Sequence, residues 1–226
     1  MSAPLPIPFP ARSLIVSCQA GNESPLHGPD TMARMARSVA AAGAAGIRAN
    51  GPADVAAIRA AVTLPIIGIH KLGDPDGVFI TPTAAAAAEV IAAGADVVAI
   101  DGTRRPRPDG TTLAGQIAAI HELFGTLVMA DVDDLDAGLA ARAAGADIVA
   151  STLSGYTGGG PVPAGPDLAL VAALVAALDC PVIAEGRFGT PELFRAALDA
   201  GAHAVVVGQS ITDPGVITGN FLQAAS

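Results

Sequence analysis

Four times along the chain an alanine-rich stretch runs into a glycine and then into a short β-branched apolar segment. The four are Ala42-Gly43-Ala44-Ala45-Gly46-Ile47, Ala93-Gly94-Ala95-Asp96-Val97-Val98, Ala144-Gly145-Ala146-Asp147-Ile148-Val149 and Ala200-Gly201-Ala202-His203-Ala204-Val205. Their glycines stand 51, 51 and 56 residues apart. Glycine suits the left-handed position after a helix end, so each unit reads as helix, stop and strand. Between the units lie four more strand candidates: Leu14 to Cys18, Pro65 to Ile69, Leu127 to Ala130 and Pro181 to Ala184. A proline opening a strand is tolerated because no ladder donor is needed there. Alanine in runs such as Thr83 to Ala93 and Ala169 to Leu178 needs no explanation beyond helix propensity and close packing. Eight strands alternating with eight helical runs predict a single-domain α/β protein, a (β/α)8 TIM barrel over residues 13–226. Residues 1–12 read as a proline-rich N-terminal extension. Closure is preferred to an open doubly wound sheet because the units repeat evenly and neither edge is charged or blunted by proline.

Composition narrows the class. Of 226 residues, 51% are hydrophobic and only 3% aromatic, so the core must be built from Ala, Val, Ile and Leu. The longest clear apolar run, Leu168 to Leu178, is closed by Asp179 and falls short of the roughly 20 residues of a membrane span. The N-terminal stretch carries four prolines in ten residues and no cationic region ahead of an apolar one, so a cytoplasmic protein is expected rather than a secreted one. A net charge of -9 argues against nucleic acid or an anionic membrane as partner, but not against an anionic small molecule held by local donors. Cys18 and Cys180 lie in hydrophobic runs and read as buried free thiols.

In a (β/α)8 barrel the chemistry sits where strands end and βα-loops begin. Here those places carry Gln19, Arg48, His70-Lys71, Asp101, Asp131, Ser151 to Thr157, Glu185-Gly186-Arg187 and Gly208-Gln209-Ser210. They place an amide, arginines, a lysine and three carboxylates around one mouth. His27, His70, His121 and His203 have no spacing that brings two to one ion, so no metal site is expected; Asp101 and Asp131 are expected to accept hydrogen bonds from substrate hydroxyls or from Lys71.

Lys71 is the only lysine, against eleven arginines. An arginine keeps its proton in a protein, whereas a partly buried lysine can lose it and act as a base or nucleophile. On strands three and seven, Lys71 and Glu185 would face each other across the barrel. An amine and a carboxylate on opposite walls suit removal of a proton next to a carbonyl and its return to the other face. A salt bridge between them is the plainer alternative. Arg48 would hold Lys71 neutral while Glu185 pulls the other way, so the sequence leaves the sign open. The glycine-bearing turns holding Gly186-Arg187 and Gly208-Gln209 are where such barrels usually cradle phosphate.

These residues resemble the bacterial N-acetylmannosamine-6-phosphate 2-epimerases. The motifs, over almost the whole chain, are Ser17-Cys18-Gln19-Ala20, Gly46 to Gly51, Pro65 to Lys71, Ile80-Thr81-Pro82-Thr83, Arg107-Pro108-Asp109-Gly110, Met129-Ala130-Asp131, Thr152 to Thr157, Ala184 to Arg187 and Val205 to Gly208. The resemblance implies interconversion of N-acetylmannosamine 6-phosphate and N-acetylglucosamine 6-phosphate, a step in sialic acid breakdown, without a cofactor. It implies that Lys71 handles the C2 proton of the ring-opened sugar with Glu185 as partner. Gln19, Arg48 and Asp131 would hold the substrate, with Asp101 and Tyr156 as further contacts. The family habit, with the apolar composition, implies a homodimer.

One position departs from the family pattern: Asp213 stands where an arginine ahead of the proline is usual. A carboxylate near a phosphate dianion repels it, so weakened affinity for the 6-phosphate, and the same chemistry on unphosphorylated N-acetylmannosamine, is an alternative. Two further readings use the same mouth: a Schiff-base aldolase or lyase with Lys71 as nucleophile, and a non-catalytic sugar-phosphate binding protein.

Overall fold

The computed structural model describes residues 6–158 and 160–225. The first five residues of the proline-rich extension lie outside that range. Eight parallel strands close into a barrel in the order β1 to β8. They are β1 (Ser13–Cys18), β2 (Gly46–Asn50), β3 (Ile66–Ile69), β4 (Val97–Asp101), β5 (Leu127–Asp131), β6 (Ile148–Ala150), β7 (Val182–Glu185) and β8 (Ala204–Val207). Closure comes from β1 pairing with β8, with Leu14 opposite Val205 and Val16 opposite Val207.

Helices follow each strand: α1 (Pro29–Ala41), α2 (Pro52–Ala61), α3 (Ala84–Ala92), α4 (Leu113–Phe124), α5 (Leu135–Ala143), α6 (Leu168–Ala177) and α7 (Pro191–Asp199). After β8 come two, the four-residue α8 (Gln209–Thr212) and then α9 (Pro214–Gln223), where the sequence had indicated a single run. None of the described helices is long and apolar enough to cross a membrane.

The four repeat glycines do what the pattern predicts. Gly43, Gly94, Gly145 and Gly201 all have φ near +100°. In each case the glycine N–H bonds back to a carbonyl three residues earlier, and the following alanine N–H to one five residues earlier, as Gly43 to Ala40 and Ala44 to Val39. That is the Schellman closure of a helix. It turns α1, α3, α5 and α7 back into the next strand at one angle, so the repeat in sequence becomes a repeat in space.

Strand alternation sorts the side chains. Ile15, Ile67, Ile69, Val97, Ala99, Met129, Ile148, Ile183 and Val206 form the packed barrel interior, joined by Phe9 from the extension. Val16, Ile47, Ala49, Val98, Ile100, Val128 and Ala130 face the helices. Phe9 is buried, and residues 9–12 are tied to the barrel's N-terminal end: the Arg12 N–H donates to His203 O, and His203 Nε2 lies 2.9 Å from Phe9 O. The same alternation turns Arg48 inward between Ile47 and Ala49, and puts Asp101, Asp131 and Glu185 at the last inward position of β4, β5 and β7. The first two are register partners.

Candidate active site

A cavity of about 770 Å3 opens at the C-terminal end of the barrel. Lys71, Glu185, Gln19, Arg48 and Tyr156 line it, as do Gly186, Arg187, Gly208 and Gln209. Asp101 and Asp131 are fully buried beneath its surface and do not line it.

Arg48 is the centre of the floor. It is 1% exposed, and its fork grips two carboxylates at once. Nη2 donates to Asp131 Oδ2 at 2.5 Å, and Nη1 donates to Asp131 Oδ1 at 3.2 Å and to Glu185 Oε2 at 2.7 Å. Burial works against the guanidinium charge, but Asp131 and Glu185 more than offset it, so Arg48 is held protonated above its ordinary value. Both Asp131 oxygens are thus engaged by Arg48. Thr152, just past β6, donates to Asp131 Oδ1 at 2.7 Å and stands 3.2 Å from Glu185 Oε2. Burial is the first cause acting on Glu185, raising its pKa to about 7; Arg48, the Thr152 hydroxyl and Lys71 pull it down and Asp131 pushes it up. Arg48 Nε and Gln19 Oε1 are buried with no hydrogen-bond partner among the described residues, leaving a donor and an acceptor in residues that line the cavity.

Lys71 lies two residues beyond β3, not at its last residue. It forms an antiparallel bridge with Ile80, extended by Leu72 N–H to Phe79 O and Thr81 N–H to His70 O. Residues 71–80 are thus a small hairpin whose base is pinned by Thr81, fully buried at φ +46°, a strained conformation for a β-branched residue. The Lys71 N–H donates to Asn50 Oδ1 at the end of β2, fixing where the side chain starts. Solvent reaches Lys71, yet the cavity walls crowd it enough that desolvation lowers its pKa; Arg48 lowers it further, and Glu185 and Asp131 raise it by less. That settles the sign the sequence left open. Among the described residues Lys71 makes no ion pair with Glu185, whose partner is Arg48.

Asp101 is occupied locally. Its Oδ1 accepts from Thr103 N–H and Oγ1, and its Oδ2 from Arg105 at 2.7 Å. It reaches the cavity only through Arg105, which lines it. Arg187 also differs from a free phosphate ligand. Its Nε donates to Gly165 O and its Nη1 to Ser154 O, each at 2.7 Å, and its guanidinium stands 5.1 Å from the Tyr156 ring centroid. It clips the β6–α6 loop over the mouth while following Gly186 (φ +108°) in a left-handed conformation of its own (φ +61°). Asp213 caps α9: its Oδ1 accepts from Gly215 and Val216 N–H. Asp213 itself does not line the cavity, although its neighbour Thr212 does. Asn50, which holds the Lys71 N–H, and Thr152, which contacts Asp131 and Glu185, are not among the candidate site residues read from the sequence, although both lie inside the motifs that carry the family resemblance.

Burial raises the Cys18 thiol to about 12 and also raises Cys180. Among the described residues no three His, Cys, Asp or Glu side chains gather in a metal-holding arrangement.

Residues 32–226 match the family model described as "Putative N-acetylmannosamine-6-phosphate epimerase". A relative from Cutibacterium acnes named "Putative N-acetylmannosamine-6-phosphate 2-epimerase" is 52% identical over 216 residues, 95% of this chain and 94% of its own. One from Caldanaerobacter subterraneus with the same name is 46% identical, covering 92% of this chain and 89% of its own. The solved structure of the N-acetylmannosamine-6-phosphate 2-epimerase from Clostridium perfringens superposes with a TM-score of 0.91 at 41% identity, covering 96% of this chain and 94% of that one. The chain belongs to the N-acetylmannosamine-6-phosphate 2-epimerase family.

Proposed function

We propose that this protein is an isomerase that inverts C2 of N-acetylmannosamine 6-phosphate to give N-acetylglucosamine 6-phosphate. In the ring-opened sugar C2 lies next to the C1 aldehyde, which makes its proton acidic. Lys71 as the free amine takes that proton, and the electron pair moves into an enolate. The unpaired Nε–H of Arg48 is a donor for the developing oxyanion. Reprotonation from the other face, by Lys71 or by Glu185, gives the epimer. Electrons and protons balance within the substrate and these side chains, so the reaction calls for no cofactor.

The observation that carries this reading is a lysine with its pKa lowered and a glutamate with its pKa raised, lining one cavity, with a buried arginine that bonds the glutamate and repels the protonated lysine. Two groups poised toward neutrality in this way suit proton transfer in both directions. Gln19 Oε1, the open acceptor, is suited to a substrate N–H or hydroxyl. Gly186, Gly208, Gln209 and the remaining donors of Arg187 are the candidates for the phosphate. The reaction fits amino-sugar breakdown in the cytoplasm, and exposed Leu123, Phe124 and Phe221 are compatible with a homodimer.

Proton NMR in D2O tests the reading with N-acetylmannosamine 6-phosphate and, separately, the unphosphorylated sugar. Deuterium should enter C2 as the gluco epimer forms, with the phosphorylated sugar strongly preferred, and Lys71→Ala should abolish both. Exchange with neither sugar would reject the proposal, and a borohydride-trapped adduct on Lys71 would replace it with Schiff-base chemistry.

A further inference from the structure

Thr152 touches both carboxylates of the floor with a single hydroxyl. Oγ1 is 2.7 Å from Asp131 Oδ1 and 3.2 Å from Glu185 Oε2. A threonine has one hydrogen to donate, so it serves one carboxylate at a time. Its backbone position is set by β6, and the neighbouring Ser151 hydroxyl donates to Glu185 O and accepts from Glu185 N–H, fixing the two strand ends against each other.

We propose that Thr152 is a positioning residue for Glu185: by turning its one hydroxyl hydrogen between Asp131 and Glu185, it sets how readily Glu185 takes up and gives back a proton. The inference rests on the reading of Glu185 as a proton-handling partner of Lys71. When Glu185 gains a proton on Oε2, that O–H donates to Thr152 Oγ1, and the Thr152 hydrogen goes wholly to Asp131. When Glu185 releases the proton, the Thr152 hydrogen can turn back to the new carboxylate. Thr152 keeps its own hydrogen in both states, so no charge is stranded on the threonine.

The charged groups facing Glu185 are Arg48 from β2 and Lys71 after β3, which favour its carboxylate, and Asp131 from β5, which disfavours it. Arg105 and Arg187 line the same cavity but are engaged by Asp101 and by the carbonyls of Gly165 and Ser154. From β1 and β8 come the uncharged Ser17, Gln19 and Gly208. All of these survive removal of the hydroxyl, so the contribution of Thr152 can be isolated. Loss of a donor to the charged form pushes a carboxyl upward.

The test needs no turnover. The chain has five glutamates, Glu23, Glu89, Glu122, Glu185 and Glu192, so their side-chain carboxyls can be labelled with 13C and followed by NMR against pH, with Glu185→Gln supplying the assignment. Glu185 should titrate near 7 in the wild type and in Thr152→Ser. In Thr152→Val it should titrate higher by roughly half a pH unit or more. Thr152→Ala, which removes the hydroxyl without adding bulk, decides the matter should the valine variant fail to fold. In parallel, kcat should fall in the valine and alanine variants and recover in the serine variant, with KM little changed. The proposal is overturned if Glu185 in Thr152→Val or Thr152→Ala titrates with the wild type, or if Thr152→Ser moves as far as Thr152→Val. Absence of epimerase turnover in the wild type would defeat the proposed reaction and leave the titration result standing.

Discussion

To remove a proton Lys71 must first be without its own, and its surroundings decide that: desolvation comes first, then the fixed charge of Arg48, against the weaker opposite pull of Glu185 and Asp131. Its folded pKa lies below 10.5, so kcat/KM should rise with pH through an inflection below that value as the amine becomes free. Lys71→Arg keeps the charge and the approximate reach but cannot give up its proton. It should lose about 10^3-fold in C2 deuterium exchange, and raising the pH should not restore it. Recovery at high pH would show that a base other than Lys71 takes the C2 proton. How far such roles are legible from sequence is clear from Asp101 and Asp131, each an aspartate ending an apolar strand, paired in register and turned inward. Their immediate C-terminal neighbours differ. Asp101 is succeeded by Thr103 and Arg105, which supply its donors within four residues. Asp131 is succeeded by Val132, Asp133 and Asp134, which offer no side-chain donor to it, so its partners come from β2 and from the loop after β6. Local sequence shows the first kind of partner and not the second.

At the scale of elements, the repeat was readable because its signal is local: helix, glycine and strand are contiguous, and the left-handed glycine marks each join. The hairpin of residues 71–80 was not, because its pinning contacts come from Thr81 and Asn50, and so Lys71 was assigned to a strand that ends at Ile69. The end of the chain was harder still. Asp213 read as a carboxylate intruding on a phosphate site, but the break between α8 and α9 gives it two backbone N–H groups to accept from. An N-cap of this kind contributes about 1 kcal/mol. Asp213→Ala should therefore lower the unfolding free energy in urea by about that amount, while the preference for the phosphorylated over the unphosphorylated sugar, as a ratio of kcat/KM, stays where it is. A clear gain in that ratio would place the carboxylate back beside the phosphate.

For the molecule as a whole, barrel closure forces charged groups into a shared interior, and the site works against the stability of the fold that holds it. Glu185 has an ordinary value of 4.5 and a folded one of about 7. Between those limits the folded chain keeps a proton that the unfolded chain has already released. Stability therefore falls as pH rises from about 4.5 to about 7, and the contribution present below 4.5 is gone above the folded value. Lys71 acts in the opposite sense: its folded pKa is lowered, so the folded chain releases its proton first, and stability rises with pH between that folded value and 10.5. Glu185→Gln removes the first effect and keeps the direction of the second, because it takes away one of the two carboxylates that raise the Lys71 pKa. Urea midpoints measured from about pH 5 to about pH 8 should show the variant gaining on the wild type as pH climbs through that window, with the gap flattening above about 7. A gap that stays constant over the range would mean that Glu185 takes up no proton on folding, and the two-group account of the proton transfer would reduce to Lys71 alone.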